Sequence, residues 1–279
     1  GPVAIADSIP GRESGSAAAA ALFRGNVSTA MEPREDPVTR RRALAALALL
    51  VPAPTFAIVM NMVLFPGPVG MTAWTLSKVW ILALPFLWVW RVEGERLRFP
   101  AVPWSRGASG GPGGARAGLG AGVATGLAAS AAILAADRFL FTRWVDPAGL
   151  RAMVADNGLD RPAVYAAMAL YTCLFNSLLE EYVWRWFVTA KCAVLLPRAP
   201  AVLASAAAFT LHHTVILQNQ FRDAGLTLLG SAGVFAAGAA WSWLYLRHRS
   251  LWSPWLSHAI VDVAVFLVGA RLVFGWAWP

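Results

Sequence analysis

The feature that most constrains the fold is a series of long apolar runs that recurs along the chain. The hydrocarbon core of a bilayer is about 30 Å thick, so a helix that crosses it needs about 20 mostly apolar residues. Backbone groups inside hydrocarbon must hydrogen-bond within their own segment, which favours helices. The runs therefore predict an all-α, polytopic transmembrane bundle of about seven spans, with six or eight as alternatives. The predicted spans are 43–65, 71–90, 117–136, 163–196, 201–217, 225–246 and 251–274.

Composition agrees with a membrane protein. The chain is 58% hydrophobic and 14% charged, whereas soluble domains carry about 25% charged residues. Its net charge of +8 does not indicate nucleic-acid binding, because most basic residues lie in short loops and in the N-terminal arm. The arginines at positions 40–42 predict a cytoplasmic N-terminus. Cys173 and Cys192 lie in apolar runs, so we expect neither a disulfide framework nor a cysteine metal site.

The chain divides into an arm and a membrane domain. Residues 1–42 are rich in Ala, Ser, Gly and Arg, and we expect a disordered N-terminal arm or leader, with Met31 as a possible natural start. Residues 43–279 form the predicted transmembrane domain. Within it, the Gly-rich segment 100–116 is expected to be a flexible cytoplasmic loop.

Two adjacent carboxylates interrupt the fourth apolar run. Ionised groups inside a membrane are costly and usually mark a functional site. Glu181 and Arg185 are four residues apart, so they share one helix face in the favourable order for an ion pair. Glu180 points about 100° away from that face, toward the predicted bundle centre. Glu181 and Arg185 are therefore either a structural pair or a pair that tunes a site formed by Glu180.

Counting residues from the turns places histidines from two further spans at the same depth in the membrane as Glu180. Glu180 and His213 lie 17 and 16 residues on either side of Pro197, where the chain turns. His258 lies nine residues beyond the basic turn at 247–249. At about 1.5 Å per helical residue, all three reach a similar depth near the cytoplasmic side. Asp262 follows His258 by one helical turn and shares its face.

Three ordered motifs carry a family resemblance. They are Glu180-Glu181-x-x-x-Arg185, Phe209-x-x-x-His213 and His258-x-x-x-Asp262. This set resembles the CPBP (ABI) intramembrane proteases, which include the type II CAAX prenyl endopeptidases and bacteriocin-related proteins. The resemblance covers residues 163–270, which would form the catalytic core.

The resemblance implies hydrolysis of a peptide bond within the membrane. Glu180 would be the general base and His213 would help to activate a water molecule. His258 and the residue at position 262 would stabilise the oxyanion, as preset donors do in acyl transfer. The active-site cavity would lie inside the bundle.

The remaining motif positions have supporting roles by the same resemblance. Glu181 and Arg185 would hold the helix and tune the site. Many family members carry Asn where this chain has Asp262, and a carboxyl group donates a hydrogen bond only when protonated. Asp262 would therefore act as an oxyanion donor or orient His258, as carboxylates orient catalytic imidazoles.

The same donors also suggest a metal alternative. Glu180, His213 and His258 could hold a zinc ion if the enzyme were metal-dependent. The sequence contains no HExxH motif, and the donors come singly from separate spans. A metal-free, glutamate-type mechanism without a cofactor is favoured.

The sequence thus predicts an integral-membrane endopeptidase that acts on a membrane-associated protein or peptide, in C-terminal processing or sorting. Its partners would be that substrate and the lipid bilayer, with no nucleic acid, and its location a bacterial inner membrane. Two alternatives stay open. One is a non-catalytic immunity or scaffold protein of the same fold, and the other is a proton-coupled transporter that uses the carboxylates as a relay.

Overall fold

The computed structural model describes residues 36–94, 114–141 and 144–276, and every regular element in those ranges is helical. The predicted arm up to residue 35 and most of the predicted loop 100–116 lie outside the described residues. The helices are α1 Pro37–Leu64, α2 Pro68–Val92, α3 Gly114–Ala136 with a π-helical turn at Asp137–Phe141, α4 Pro147–Asp156, α5 Pro162–Leu195, α6 Arg198–Phe221, α7 Ala224–His248 and α8 Trp252–Phe274.

Seven of the helices in the described ranges, all except α4, are long and apolar enough to cross a membrane. The predicted class of polytopic helical bundle is therefore confirmed, as is the predicted number of spans. The first span begins at Pro37 rather than at residue 43. Proline suits the first turn of a helix because the amide hydrogen that it lacks would have no partner there.

The turn between α5 and α6 lies where the sequence places it. Leu196 adopts an extended conformation, and α6 begins at Arg198. Arg40 of α1 donates from Nη1 to the carbonyl oxygens of Val194 and Leu195, each at 3.3 Å. A cation at the C-terminal end of a helix satisfies free carbonyls and interacts favourably with the helix dipole. The N-terminal end of α1 is thereby attached to the C-terminal end of α5.

Close backbone packing fixes α8 against α3. A Cβ atom at Gly122 would lie 2.3 Å from the carbonyl oxygen of Ser253, so only glycine permits this approach. Ser253 donates to the carbonyl oxygen of Gly118 at 2.6 Å, and Ser130 donates to that of Ile260 at 3.1 Å. These contacts position the helix that carries His258.

Helix α5 lies inside the bundle over its middle turns. Trp184 and Phe187 are buried, and Thr189 forms hydroxyl contacts with Ser205 of α6 at 2.8 Å and Ser242 of α7 at 3.2 Å. Two stretches of α5 are π-helical, Thr172–Asn176 and Tyr182–Thr189, and they flank the two glutamates. Local π-helical geometry is frequent at functional sites.

A separate ion pair lies near the C-terminal end of α8. Arg271 donates from Nε to Asp137 Oδ2 at 2.8 Å, and from Nη2 to Asp137 Oδ1. Asp137 is buried, whereas the Arg271 side chain is 21% exposed. This bidentate pair joins the π-helical turn after α3 to the end of α8.

Candidate active site

Helices α5 and α8 bring the predicted base and one predicted histidine together. The distance from Glu180 Oε2 to His258 Nε2 is 3.8 Å. His213 of α6 lies within electrostatic range of the Glu180 carboxylate. The side chain of Glu180 is 17% exposed, so the carboxylate is enclosed but reachable. Glu180, His213 and His258 therefore form one cluster from three spans.

The imidazole of His258 is held on three sides. Its Nδ1 lies 2.8 Å from Glu181 Oε1, and its Nε2 lies 3.6 Å from Asp262 Oδ1. Because a carboxylate only accepts hydrogen bonds, Nδ1 carries the hydrogen. The ring stacks on Trp241 with centroids 3.9 Å apart and an angle of 17° between the planes. His258 thus has a fixed orientation, with Nε2 aimed at Glu180 and Asp262.

Glu181 proves to have two partners. Its Oε2 lies 3.1 Å from Arg185 Nε, as the spacing of four residues predicts, and both side chains are fully buried. The guanidinium of Arg185 also lies over the rings of Phe209 and Trp241, 4.6 and 5.3 Å from their centroids. The contact from Glu181 to His258 was not predicted. It makes Glu181, rather than Asp262, the carboxylate in hydrogen-bond contact with that imidazole.

A hydrogen bond to the backbone fixes the tautomer of His213. Its Nδ1 lies 2.9 Å from the carbonyl oxygen of Phe209, and a carbonyl only accepts, so Nδ1 is the donor. In the neutral ring, Nε2 is then an acceptor. The neighbouring His212 is buried and stacks on Trp184 with an angle of 13° between the planes. His212 therefore packs in the core, on a face of α6 that differs from that of His213.

Two residues near Glu180 were missed as site candidates. Asn176 donates from Nδ2 to Glu180 Oε1 at 2.8 Å, and Lys78 of α2 donates from Nζ to Asn176 Oδ1 at 3.4 Å. A signal was present in the sequence, because Lys78 interrupts the second apolar run. A lysine in the middle of a membrane span, like an intramembrane glutamate, is energetically costly and usually marks a functional site.

The donors do not gather into a metal-binding group. In the part of the chain that the structure describes, no three His, Cys, Asp or Glu side chains are arranged to hold a metal ion. The Nδ1 atoms of His213 and His258 contact Phe209 and Glu181, which leaves Nε2 as the ring nitrogen that each histidine could offer to a metal ion. His258 Nε2 lies 3.8 Å from Glu180 Oε2 and 3.6 Å from Asp262 Oδ1.

The fold and the cluster define a class, that of integral membrane proteins with acids and histidines joined inside a helical bundle. Residues 162–264 match the family model described as Type II CAAX prenyl endopeptidase Rce1-like. The resemblance expected from the three motifs is thereby confirmed over α5, α6, α7 and the first half of α8. The match supports a protease. Comparisons with curated proteins and with solved structures gave no match.

Proposed function

We propose that this protein is an intramembrane endopeptidase that hydrolyses a peptide bond of a membrane-associated protein or peptide. The observation that carries the proposal is the meeting of Glu180, His213 and His258 from three spans. In the proposed mechanism Glu180 is the general base, His213 helps to activate the water and His258 stabilises the oxyanion. A non-catalytic scaffold would not need these three groups together.

Glu180 is the general base in this proposal. Its Oε1 accepts from Asn176, so Oε2 is the oxygen that remains to take a proton from water. In the neutral ring of His213, Nε2 is the acceptor, because Nδ1 donates to the carbonyl oxygen of Phe209. The hydroxide formed attacks the carbonyl carbon of the scissile bond, and the proton on Glu180 then passes to the leaving amine as the carbon–nitrogen bond breaks.

His258 stabilises the oxyanion of the tetrahedral intermediate. Since Nδ1 already donates to Glu181, donation from Nε2 requires the doubly protonated ring. In this proposal His258 is doubly protonated, with Glu180, Glu181 and Asp262 around the ring and Trp241 stacked on its face. Asp262, four residues later on the same helix, is the second candidate donor and acts as one only when protonated.

The substrate class follows from the position of the cluster. The acids lie within helices that span the membrane, so a peptide must reach them from the bilayer or its surface. We place cleavage near the cytoplasmic side of a bacterial inner membrane, with the N-terminus cytoplasmic, as the basic cluster at 40–42 indicates. Processing or sorting of protein C-termini fits such a site.

The test uses the full-length chain reconstituted in liposomes with a library of membrane-anchored peptides. Wild type should cleave, and Glu180→Ala and His213→Ala should each reduce the cleavage rate by about 100-fold or more. His248→Ala is the matched control, because His248 ends α7 and lies outside the cluster. Cleavage retained by Glu180→Ala would contradict the proposal.

Metal dependence is tested in the same assay. The glutamate-type mechanism predicts full activity after exhaustive chelation. Activity that is lost on chelation and restored by zinc would instead assign Glu180, His213 and His258 as ligands. Absence of cleavage across the library, with pH-coupled transport of a solute, would favour the transporter alternative.

A further inference from the structure

A lysine outside the family-matched segment is connected to the candidate base. Lys78 lies on α2, whereas the family match begins at residue 162. From Lys78 Nζ to Asn176 Oδ1 is 3.4 Å, and from Asn176 Nδ2 to Glu180 Oε1 is 2.8 Å. The amide of Asn176 therefore bridges a cation on one helix and a carboxylate on its own helix.

The orientation of the Asn176 amide follows from the chemistry of its two partners. An ammonium group donates and never accepts, so the oxygen of the Asn176 amide must face Lys78. The NH₂ group of the same amide then faces Glu180. A carboxylate only accepts, so the contact with Glu180 requires the same orientation of the amide. Of these two contacts, only the one to Glu180 would remain without Lys78, and the amide would then be held at one end.

The two lysines of the chain differ in their partners. Lys191 forms a direct ion pair with Glu93. Among the described residues, no carboxylate lies within 4 Å of Lys78 Nζ, and its other contact is the ring of Trp74, 5.5 Å from the centroid. A half-buried ammonium without a direct counterion is costly in a membrane span, which marks Lys78 as a functional candidate.

We propose that Lys78 is a positioning residue of the active site, acting through Asn176 to hold Glu180 with Oε1 occupied and Oε2 directed toward His258. This inference rests on the proposed function of Glu180 as the base. It adds a contribution from α2, which lies outside the family-matched segment, to the geometry of the site.

The role predicts a specific pattern of kinetic change. Lys78→Met should lower kcat by about ten-fold, less than removal of the base itself, because the carboxylate remains but loses its orientation. KM should change little, since Lys78 does not touch substrate in this proposal. Lys78→Arg should restore most of kcat, because a guanidinium also only donates.

The matched control is Lys191→Met, which removes the chain's other lysine from a place remote from Glu180 and should leave kcat within about two-fold. A double variant tests the route. If Lys78 acts through Asn176, then Lys78→Met combined with Asn176→Leu should be no slower than Asn176→Leu alone. Additive losses in the double variant would overturn the route.

A readout independent of cleavage separates this inference from the proposed function. The infrared carboxylate band of Glu180 is isolated in liposomes as the difference between each protein and the same protein carrying Glu180→Gln. Compared with its position in wild type, this band should shift in Lys78→Met but not in Lys191→Met. An unmoved band in Lys78→Met would overturn the inference, whether or not the protein cleaves. A shifted band in a protein that cleaves nothing would keep the positioning role and reject the protease proposal.

Discussion

Two ionic clusters lie on α8, and they are built differently. Near its C-terminal end, Arg271 and Asp137 form a bidentate pair of one cation and one anion. Near its N-terminal end, His258 lies among three carboxylates, those of Glu180, Glu181 and Asp262. The first arrangement matches one cation to one anion. In the second, several acids surround one imidazole, and Glu181 also pairs with Arg185 while Glu180 accepts from Asn176.

The two arrangements indicate different roles for the Arg271–Asp137 pair and the His258 cluster. A matched buried pair joins helices and leaves no group available for reaction. The His258 cluster instead keeps Glu180 and Asp262 17% exposed while Glu181 is fully buried. Its buried acid contacts the ring nitrogen Nδ1, and its two other acids are partly exposed. We therefore expect changes near His258 to affect turnover and changes near Arg271 to affect stability alone.

The largest loss of stability is expected for Glu181→Gln. Arg185 is fully buried and has Glu181 as its ion-pair partner, so the substitution leaves a buried cation without a counterion. The free energy of unfolding should fall by about 3–5 kcal/mol, measured by titration with SDS in mixed micelles. Cleavage should also weaken, because His258 loses a charged acceptor.

The double variant Glu181→Met with Arg185→Met is the control for this prediction. It removes both charges, and it should recover most of the stability while remaining poorly active. Equal stability of Glu181→Gln and wild type would show that Arg185 is neutralised elsewhere.

A smaller effect, confined to stability, is expected for Asp137→Asn. Arg271 is 21% exposed and can turn toward the interface, so the expected loss is about 1–3 kcal/mol. The cleavage rate per folded molecule should stay within about two-fold of wild type. A large fall in kcat with unchanged stability would break the distinction between the two clusters.

Gly122→Ala tests the packing that places both clusters. The added Cβ would meet the carbonyl oxygen of Ser253 at 2.3 Å, and the resulting shift of α8 should cost about 1–3 kcal/mol. Turnover should fall as well, since α8 carries His258. Gly120→Ala is the matched control, because a Cβ there meets nothing within 4 Å. Equal behaviour of the two variants would mean that the close approach is not required.

A limited effect on turnover is expected for Asp262→Asn. An amide donates without needing a proton from solvent, so it can replace a protonated carboxyl as an oxyanion donor. The cleavage rate should stay within about ten-fold of wild type, compared with about 100-fold or more for loss of the base. A complete loss of cleavage would mean that the negative charge of Asp262 is needed for His258.

Much of this architecture was predictable from local patterns. Apolar runs and helical rise fix the number of spans and the level of Glu180, His213 and His258, because both depend on distance along one axis. The pairing of Glu181 with Arg185 follows from the helical period. Rotation about the helix axis is different, since it depends on packing between spans that are distant in sequence.

Two contacts of the site depend on that rotation and were therefore missed. The approach of Glu181 to His258 requires the relative rotation of α5 and α8, which the glycine contacts of α3 help to determine. The bridge from Lys78 requires α2, whose residues carry no motif. In the sequence, the one sign of this bridge is that a lysine inside a membrane span is energetically costly.

The central claim is that the His258 cluster hydrolyses peptides and the Arg271–Asp137 pair does not. It is tested most directly by comparing Glu180→Gln with Asp137→Asn in liposomes, since each replaces one intramembrane carboxylate by an amide. Mass spectrometry of the products should show the wild-type cleavage site for Asp137→Asn and no cleavage for Glu180→Gln. Cleavage at the wild-type rate by Glu180→Gln would contradict the account.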